Sequence, residues 1–212
     1  MDLIKQIAEI LEKGEHAQVA QLTAKALEQG LEAKAILDDG LIAGMKVVGD
    51  KFKAHEIFLP DVLLAAKAMY AGLDLVKPIL ASSDVPSKGK VVIGSVQGDL
   101  HDIGKNLVGI MLKGAGYDVI DLGNDVAPET FVETAAAEDA LVVGCSALLT
   151  TTMTVMKKVS ELLNERGLKD KVKLIIGGAP LSDGFAAEIG ADAYGYDAVK
   201  AVELVDGFAA GA

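Results

Sequence analysis

Hydrophobic positions along this chain keep two different periods. Through roughly the first eighty residues, apolar side chains recur at helical spacing. Leu3, Ile7, Ile10 and Leu11 make one stripe, closed by Lys13-Gly14, and Val19, Leu22 and Ala26 make a second, closed by Gln29-Gly30. A third helix is expected from near Leu31 through Ile36, Leu41, Met45 and Val48 to about Phe52. On it Gly40 and Gly44 lie four apart on one face, where a neighbouring helix can come close; each costs up to about 1 kcal/mol of helix propensity. The fourth starts at Pro60, whose missing N–H would be unpaired there in any case, and Asp61 complements the helix amino end. Val62, Ala65, Met69, Leu73 and Val76 give it an apolar face. Four helices with short connections predict an antiparallel bundle over residues 1–80, which by pattern alone is a stability or dimerisation module.

The pattern breaks at Ala81-Ser82-Ser83-Asp84-Val85-Pro86-Ser87-Lys88-Gly89, a small, polar, Pro/Gly-containing stretch that reads as a linker over residues 81–89. Nine extended residues reach up to about 30 Å, enough for one domain to shift across another. From Lys90 onward the period becomes that of alternating strands and helices. Strands are expected at Val91–Val96, Tyr117–Asp121, Leu141–Cys145, Val172–Ile176 and, briefly, Ala193–Tyr194. Helices are expected at Gly104–Lys113, Pro128–Ala137, Thr152–Arg166, Asp183–Ile189 and Asp197–Phe208. Near-continuous Val/Ile/Leu strands imply a parallel sheet covered on both faces. The fold class is therefore α/β. A flavodoxin-like, doubly wound, five-stranded parallel sheet of order 2-1-3-4-5 over residues 90–212 follows a four-helix bundle.

Ligands of such sheets bind beyond the strands' carboxyl ends, beside the point where strand order reverses. Strand one is followed by Gly98-Asp99-Leu100-His101-Asp102-Ile103-Gly104, strand three by Ser146-Ala147-Leu148-Leu149-Thr150-Thr151-Thr152, and strand four by Gly177-Gly178-Ala179-Pro180. These three loops, small and rich in hydroxyls, are adjacent in the expected order and point to one extended groove. Strand two is followed by the less distinctive Leu122-Gly123-Asn124-Asp125. Within the first loop, Asp99 and His101 form an Asp-x-His pair. A metal-ligating imidazole usually gives its other ring N–H to a carboxylate, so the pair supplies a ligand and the group that orients it.

Composition narrows the function. Acids outnumber bases 31 to 20, a net charge of −11, and no Lys/Arg cluster offsets it, which disfavours nucleic acid. No apolar run approaches a membrane span, and the amino terminus reads as an amphipathic helix rather than a signal peptide. A single cysteine, Cys145, leaves no intrachain disulfide framework, in keeping with a reducing cytoplasm. Cys145 ends a buried strand and reads as inert core, while His16 and His55 read as surface residues.

Asp99-Leu100-His101-Asp102-Ile103-Gly104, Ser146-Ala147-Leu148 and Gly177-Gly178 follow Asp-x-His-x-x-Gly, Ser-x-Leu and Gly-Gly, in that order and with intervals 105–145 and 149–176. This resembles the cobalamin-binding, Rossmann-like domain of methionine synthase and of the small corrinoid proteins of methyltransferase systems. Val48-Gly49-Asp50-Lys51-Phe52 and Phe58-Leu59-Pro60 are similar to the helical cap that precedes that domain in methyl-transferring members. The resemblance spans essentially the whole chain.

The resemblance implies a cobalamin or related corrinoid, bound base-off and His-on, alternating between Co(I) and methylcobalamin forms. His101 would be the lower axial ligand of cobalt, the one metal ligand, and Asp99 would hold its other ring nitrogen. Thr152 would extend that relay toward solvent, and Thr150 would touch the lower corrin rim. Ser146, Leu148, Gly177 and Gly178 would border a groove for the displaced nucleotide tail, with Gly104 letting the tail pass. Phe52 and Leu59 would cover the upper face; as plain residues they suit a bundle core equally well. The implied role is a methyl carrier, not catalytic alone, between a donor-specific methyltransferase and an acceptor methyltransferase using tetrahydrofolate or a thiol coenzyme, served by a reductive activator. The chain has no room for a substrate-activating barrel.

Other classes fit less well. A cobalamin-dependent mutase subunit shares the three motifs but does not ordinarily need the cap. A cobalamin-binding light sensor should add a DNA-binding module and basic surface. A response regulator needs acids clustered after strand one and a phosphoacceptor after strand three, where this chain has Cys145-Ser146.

Overall fold

The computed structural model describes residues 2–81 and 87–211. They form two compact units, one all-helical and one built on a sheet. Most of the linker proposed at residues 81–89, Ser82–Pro86, lies outside the described residues. Among the described residues no helix is long and apolar enough to cross a membrane.

The helical unit consists of α1 (Leu3–Glu12), α2 (His16–Glu28), α3 (Ala33–Ala35), a π-helical segment (Ile36–Ile42), α4 (Ala43–Lys53) and α5 (Leu59–Ala81). Asp2 caps α1 by accepting from the Ile4 N–H at 3.1 Å. Asp61 accepts from the Phe58 N–H at 2.9 Å and so tightens the entry to α5. The third helix of the bundle runs from Ala33 to Lys53 as expected, except that its middle is wound with i→i+5 bonds. The wider turn suits the spacing there: Ile36 and Leu41, five apart, are both fully buried. Gly40 and Gly44 face α1 as their spacing suggested. A Cβ on Gly44 would lie 3.0 Å from Ala8 backbone, so the two helices meet where a side chain is missing. The second stripe differs from expectation: Thr23, not Leu22, is fully buried in α2 beside Val19 and Ala26, and its hydroxyl has no hydrogen-bond partner among the described residues. Its Oγ1 would be 3.2 Å from a Cβ on Gly72, so the close packing of α2 on α5 takes it out of water.

The second unit is the sheet β1 (Lys90–Ser95), β2 (Asp118–Asp121), β3 (Val142–Ser146), β4 (Lys173–Gly177) and β5 (Ala193–Gly195). Its order is β2-β1-β3-β4-β5 and every pairing is parallel. Five helices cover it: α6 (Ile103–Gly114), α7 (Pro128–Ala137), α8 (Val155–Glu165), α9 (Asp183–Ile189) and α10 (Ala198–Ala210). The strands are buried because they are β-branched and aliphatic: Val92, Val143, Leu174 and Ile176 make one core with Phe131 of α7 and Met156, Val159 and Leu163 of α8. Gly94 gives the Phe131 ring its place, since a Cβ there would lie 2.8 Å from it. Burying that ring is worth about 2–3 kcal/mol. Cys145 is buried in β3, and burial pushes its thiol pKa up, away from reactivity.

The register sets the site. Ser95, Ser146 and Gly177, the last residues of β1, β3 and β4, are direct partners across the three central strands. The three loops singled out from the sequence therefore leave the sheet side by side.

Candidate functional site

Asp99 is the hub of these loops. Its side chain is 0% exposed, and its two oxygens divide between two loops. Oδ1 accepts from its own loop, from the His101 N–H at 3.0 Å and from His101 Nδ1 at 2.8 Å. Oδ2 accepts from the loop after β3, from the Leu148 N–H at 2.8 Å, the Leu149 N–H at 3.3 Å and the Thr152 hydroxyl at 2.6 Å. Burial by itself would raise the Asp99 pKa, but the bonds from Thr152, Leu148 and His101 outweigh it and hold the carboxyl below the usual range. The buried group is thus an anion with a full set of donors, which is how a buried charge is tolerated.

An ionised carboxylate at Nδ1 places the ring proton on Nδ1 and leaves the lone pair on Nε2. Nε2 has no hydrogen-bond partner among the described residues, and the His101 side chain is 51% exposed. The loop is held from below by Ser95, fully buried, whose hydroxyl donates to the His101 carbonyl at 2.6 Å. Large apolar side chains are exposed on the loops beside the imidazole, together with the polar Thr150 and Thr151. Leu100 is 70% exposed and Ile103 73%, and Leu148 and Leu149 are exposed on the facing loop. A ring nitrogen without a partner among the described residues thus lies on loops that expose four large apolar side chains, an arrangement that suits a flat, largely apolar ligand with a metal at its centre.

A bare ion fits poorly. Among the described residues no group of three or more His, Cys, Asp or Glu side chains stands ready to hold one, so a metal at His101 must bring most of its ligands with it. A metal macrocycle does so. Backbone space fits too: Gly104, at the start of α6, has nothing within 4 Å of where a Cβ would be, leaving the entry beside His101 open.

A family described as "B12 binding domain" matches residues 89–203, and a second model of the same description matches residues 3–77. The chain belongs to the B12-binding family. This corrinoid protein is 44% identical over 209 residues to a corrinoid protein of Desulfitobacterium hafniense (strain Y51), covering 97% of both chains. It is 43% identical to the dimethylamine corrinoid protein of Methanosarcina barkeri, over 95% of this chain and 94% of that one. Its structure superposes with TM-score 0.91 on a chain of the methanol:cobalamin methyltransferase complex MtaBC of Methanosarcina barkeri. The match has 36% identity and covers 99% of this chain and 80% of that one. A cobalamin-binding protein of Desulfitobacterium hafniense DCB-2 gives TM-score 0.79 at 28% identity, covering 98% of both chains. The cofactor is a corrinoid, and a five-stranded parallel sheet that follows a helical domain in the chain matches the fold of corrinoid proteins.

Most residues singled out from the sequence cluster here. Asp99, His101, Leu148 and Thr152 form one hydrogen-bonded group, and Ser146 and Gly177 adjoin it through the strand register. Gly178 has φ 137°, and a Cβ there would fall 1.8 Å from the Ala147 carbonyl oxygen, so the loops after β3 and β4 touch backbone to backbone. Thr150 is exposed on the loop after β3. Thr152 is 7% exposed, and its hydroxyl neighbours are Asp99 and the Leu149 carbonyl, so the described hydrogen bonds end on a buried hydroxyl. Phe52, in the last turn of α4, and Leu59, first in α5, are half-buried residues of the other unit.

Sequence reasoning missed three features. The Leu148 and Leu149 N–H groups are backbone donors with no residue signature. Lys105 is buried and donates to both Asp121 oxygens at 2.6 Å and to Asn106 at 2.7 Å, tying the first turn of α6 to the end of β2. The loop after β2 also grips the loop that carries His101, although its residues had looked unremarkable. Lys105 in an Asp-rich neighbourhood was a visible signal; the others were not.

Proposed function

We propose that this protein is a methyl carrier in which His101 Nε2 is the lower axial ligand of the corrinoid cobalt. The observation that carries this reading is the division of labour at His101: Nδ1 held 2.8 Å from a buried carboxylate, Nε2 without a partner among the described residues. The bound corrinoid supplies a cobalt that takes a methyl group from a donor and yields it to an acceptor. Names of relatives support the class of donor, since curated relatives are trimethylamine and dimethylamine corrinoid proteins and a structural relative belongs to a methanol:cobalamin methyltransferase. The partners we propose are a donor-specific methyltransferase, an acceptor methyltransferase serving tetrahydrofolate or a thiol coenzyme, and a reductive activator.

The chain's own residues then divide the work. Asp99 orients the imidazole and keeps the ring proton at Nδ1. Because its donors keep the carboxyl below the usual range, Asp99 does not itself take up a proton near neutrality. Thr152 and the Leu148 and Leu149 N–H groups lock the far side of that carboxylate. Ser146, Leu148, Thr150, Gly177 and Gly178 border the groove proposed for the nucleotide tail, with Gly104 leaving room at its mouth. Phe52 and Leu59 are proposed to shield the other face from water. The residues at 1–80 act as the cap, residues 81–89 as the linker and residues 90–212 as the corrinoid domain.

Reconstitution with cobalamin tests the reading. Wild-type protein should retain the corrinoid and give a His-on absorption spectrum, and His101→Ala should give a His-off spectrum with the fold intact, since the ring is half exposed. Identical spectra for the two proteins would overturn the ligand assignment, and a wild type that retains no corrinoid would overturn the function.

A further inference from the structure

The loop after β2 makes more bonds to the His101 loop than its composition suggested. The Gly123 carbonyl accepts from the Ser95 N–H at 2.9 Å, and the Asn124 side-chain amide donates to the Leu100 carbonyl at 3.2 Å. Asp125 comes next in the chain. Its Oδ1 accepts from the Gly98 N–H at 2.7 Å, and its own N–H donates to the Asp99 carbonyl at 3.1 Å. Asp125 therefore grips the backbone on both sides of the Asp99 Cα, from 27 residues away in sequence. It does so with φ 55°, a left-handed conformation held by only two other non-glycine residues among those described, His55 and Asp139. A non-glycine residue held in this region is a reason to look for a function that needs it.

We propose that Asp125 is a positioning residue for the His101 imidazole, acting by fixing the Gly98–Asp99 backbone from which the Asp99 carboxylate projects. Both contacts that orient His101, to its N–H and to its ring, fall on Asp99 Oδ1. Oδ2 is anchored to the loop after β3. With one oxygen pinned by the loop after β3, the direction of the other depends on where the Asp99 backbone sits; the Val96 carbonyl holds its N–H at 2.9 Å, and Asp125 holds its carbonyl and the Gly98 N–H before it. Lys105 and Asp121 brace the same arrangement from behind: Asp121 Oδ1 also accepts from the Gly123 N–H at 2.9 Å, which fixes the loop that presents Asp125. The inference rests on the reading of His101 as the axial ligand, but its first test needs no corrinoid.

That test is the tautomer of His101 in ligand-free protein carrying ¹⁵N-labelled histidine, with the His101 signals identified by their loss in His101→Ala. Asp125→Asn keeps an acceptor oxygen and tolerates the left-handed backbone. Asp125→Gly keeps the backbone freedom and loses the acceptor, and Asp125→Ala loses both. Wild type and Asp125→Asn should hold the proton on Nδ1. Asp125→Gly and Asp125→Ala should raise the Nε2–H tautomer about tenfold, the scale on which residues behind a metal ligand act. On loading with cobalamin the same two should raise the His-off fraction by a similar factor. Wild-type tautomer ratios in Asp125→Gly would overturn the proposal, even with a lowered melting temperature, because that outcome marks a purely structural residue. Loss of the tautomer preference in Asp125→Asn would overturn the role given to the acceptor oxygen. If the Ala variant does not fold, the Gly and Asn pair decides. If His101→Ala leaves the loaded spectrum unchanged, the axial assignment falls while the tautomer ratios still judge Asp125.

Discussion

Thr152 donates its hydroxyl proton to Asp99 at 2.6 Å across 53 residues of chain, joining the loops after β1 and β3 through a buried carboxylate. The Asp99 pKa is lower folded than unfolded, so in acid the unfolded chain binds more protons and stability rises with pH. The contribution is complete above the ordinary carboxyl value of 3.8, declines as pH falls below it, and is gone once pH passes the depressed folded value. Thr152→Val should cost about 1–3 kcal/mol near neutrality, the cost of removing one donor from a buried anion, and Thr152→Ser much less. Urea unfolding of ligand-free protein at neutral pH and again well below pH 3.8 should show the Val deficit shrinking in acid. A deficit constant across that range would separate Thr152 from the Asp99 charge.

Gly178 and Gly104 should respond in opposite ways to one added methyl. At Gly178 the new Cβ meets a backbone oxygen at 1.8 Å with φ 137°, so Gly178→Ala should lose about 3 kcal/mol or more, or fail to fold. At Gly104 nothing lies within 4 Å, and an alanine in the first turn of α6 should leave stability unchanged or raise it by under about 1 kcal/mol. Corrinoid affinity is the second readout: the Gly104→Ala protein, though stable, should bind cobalamin more weakly. Unaltered affinity would mean that the cofactor does not pass there.

Lys105 and Asp121 form an ion pair whose two members are unequally buried, 4% and 36% exposed. Asp121→Asn leaves a buried ammonium without its anion and should cost about 3 kcal/mol. Lys105→Met leaves a carboxylate that water can reach and should cost about 1 kcal/mol. Denaturant midpoints of the two single variants check the order, and a costlier Lys105→Met would show that Asp121 is the more tightly enclosed partner.

In the helical unit Gly44 and Gly40 differ by small distances with a measurable consequence. A Cβ at Gly44 would lie 3.0 Å from Ala8 backbone, which cannot yield without moving α1, whereas at Gly40 the nearest atom is the Ile7 Cγ2 at 3.4 Å. Gly44→Ala should destabilise by about 1–3 kcal/mol. Gly40→Ala should be near neutral, its clash offset by helix propensity. Thermal unfolding of the two variants distinguishes them; equal losses would place the close approach of the helices elsewhere.

What could be read from sequence alone follows from periodicity and from residue types with few other uses. The β-branched runs of β1, β3 and β4 carry their own burial, so the parallel sheet, its order and the adjacency of three loops were legible, as was the Asp99–His101 pair. Gly40 and Gly44 announced a close helix contact by their spacing, and Gly178 stood in a recognisable pair. The π-helical turn was not legible, because five-residue spacing between Ile36 and Leu41 is lost within a longer helical stripe. Nor were the N–H groups of Leu148 and Leu149 that hold Asp99, since every residue but proline has one and only the fold decides where it points. The same holds for Asp125. By itself it is an ordinary loop acid, and it becomes a grip on the Asp99 backbone only when β2 lies beside β1 and its backbone turns left-handed. Composition and period determined which elements form and which loops meet. Tertiary structure alone decided which oxygen faces which donor, because hydrogen-bond direction depends on the relative placement of strands that are distant in sequence.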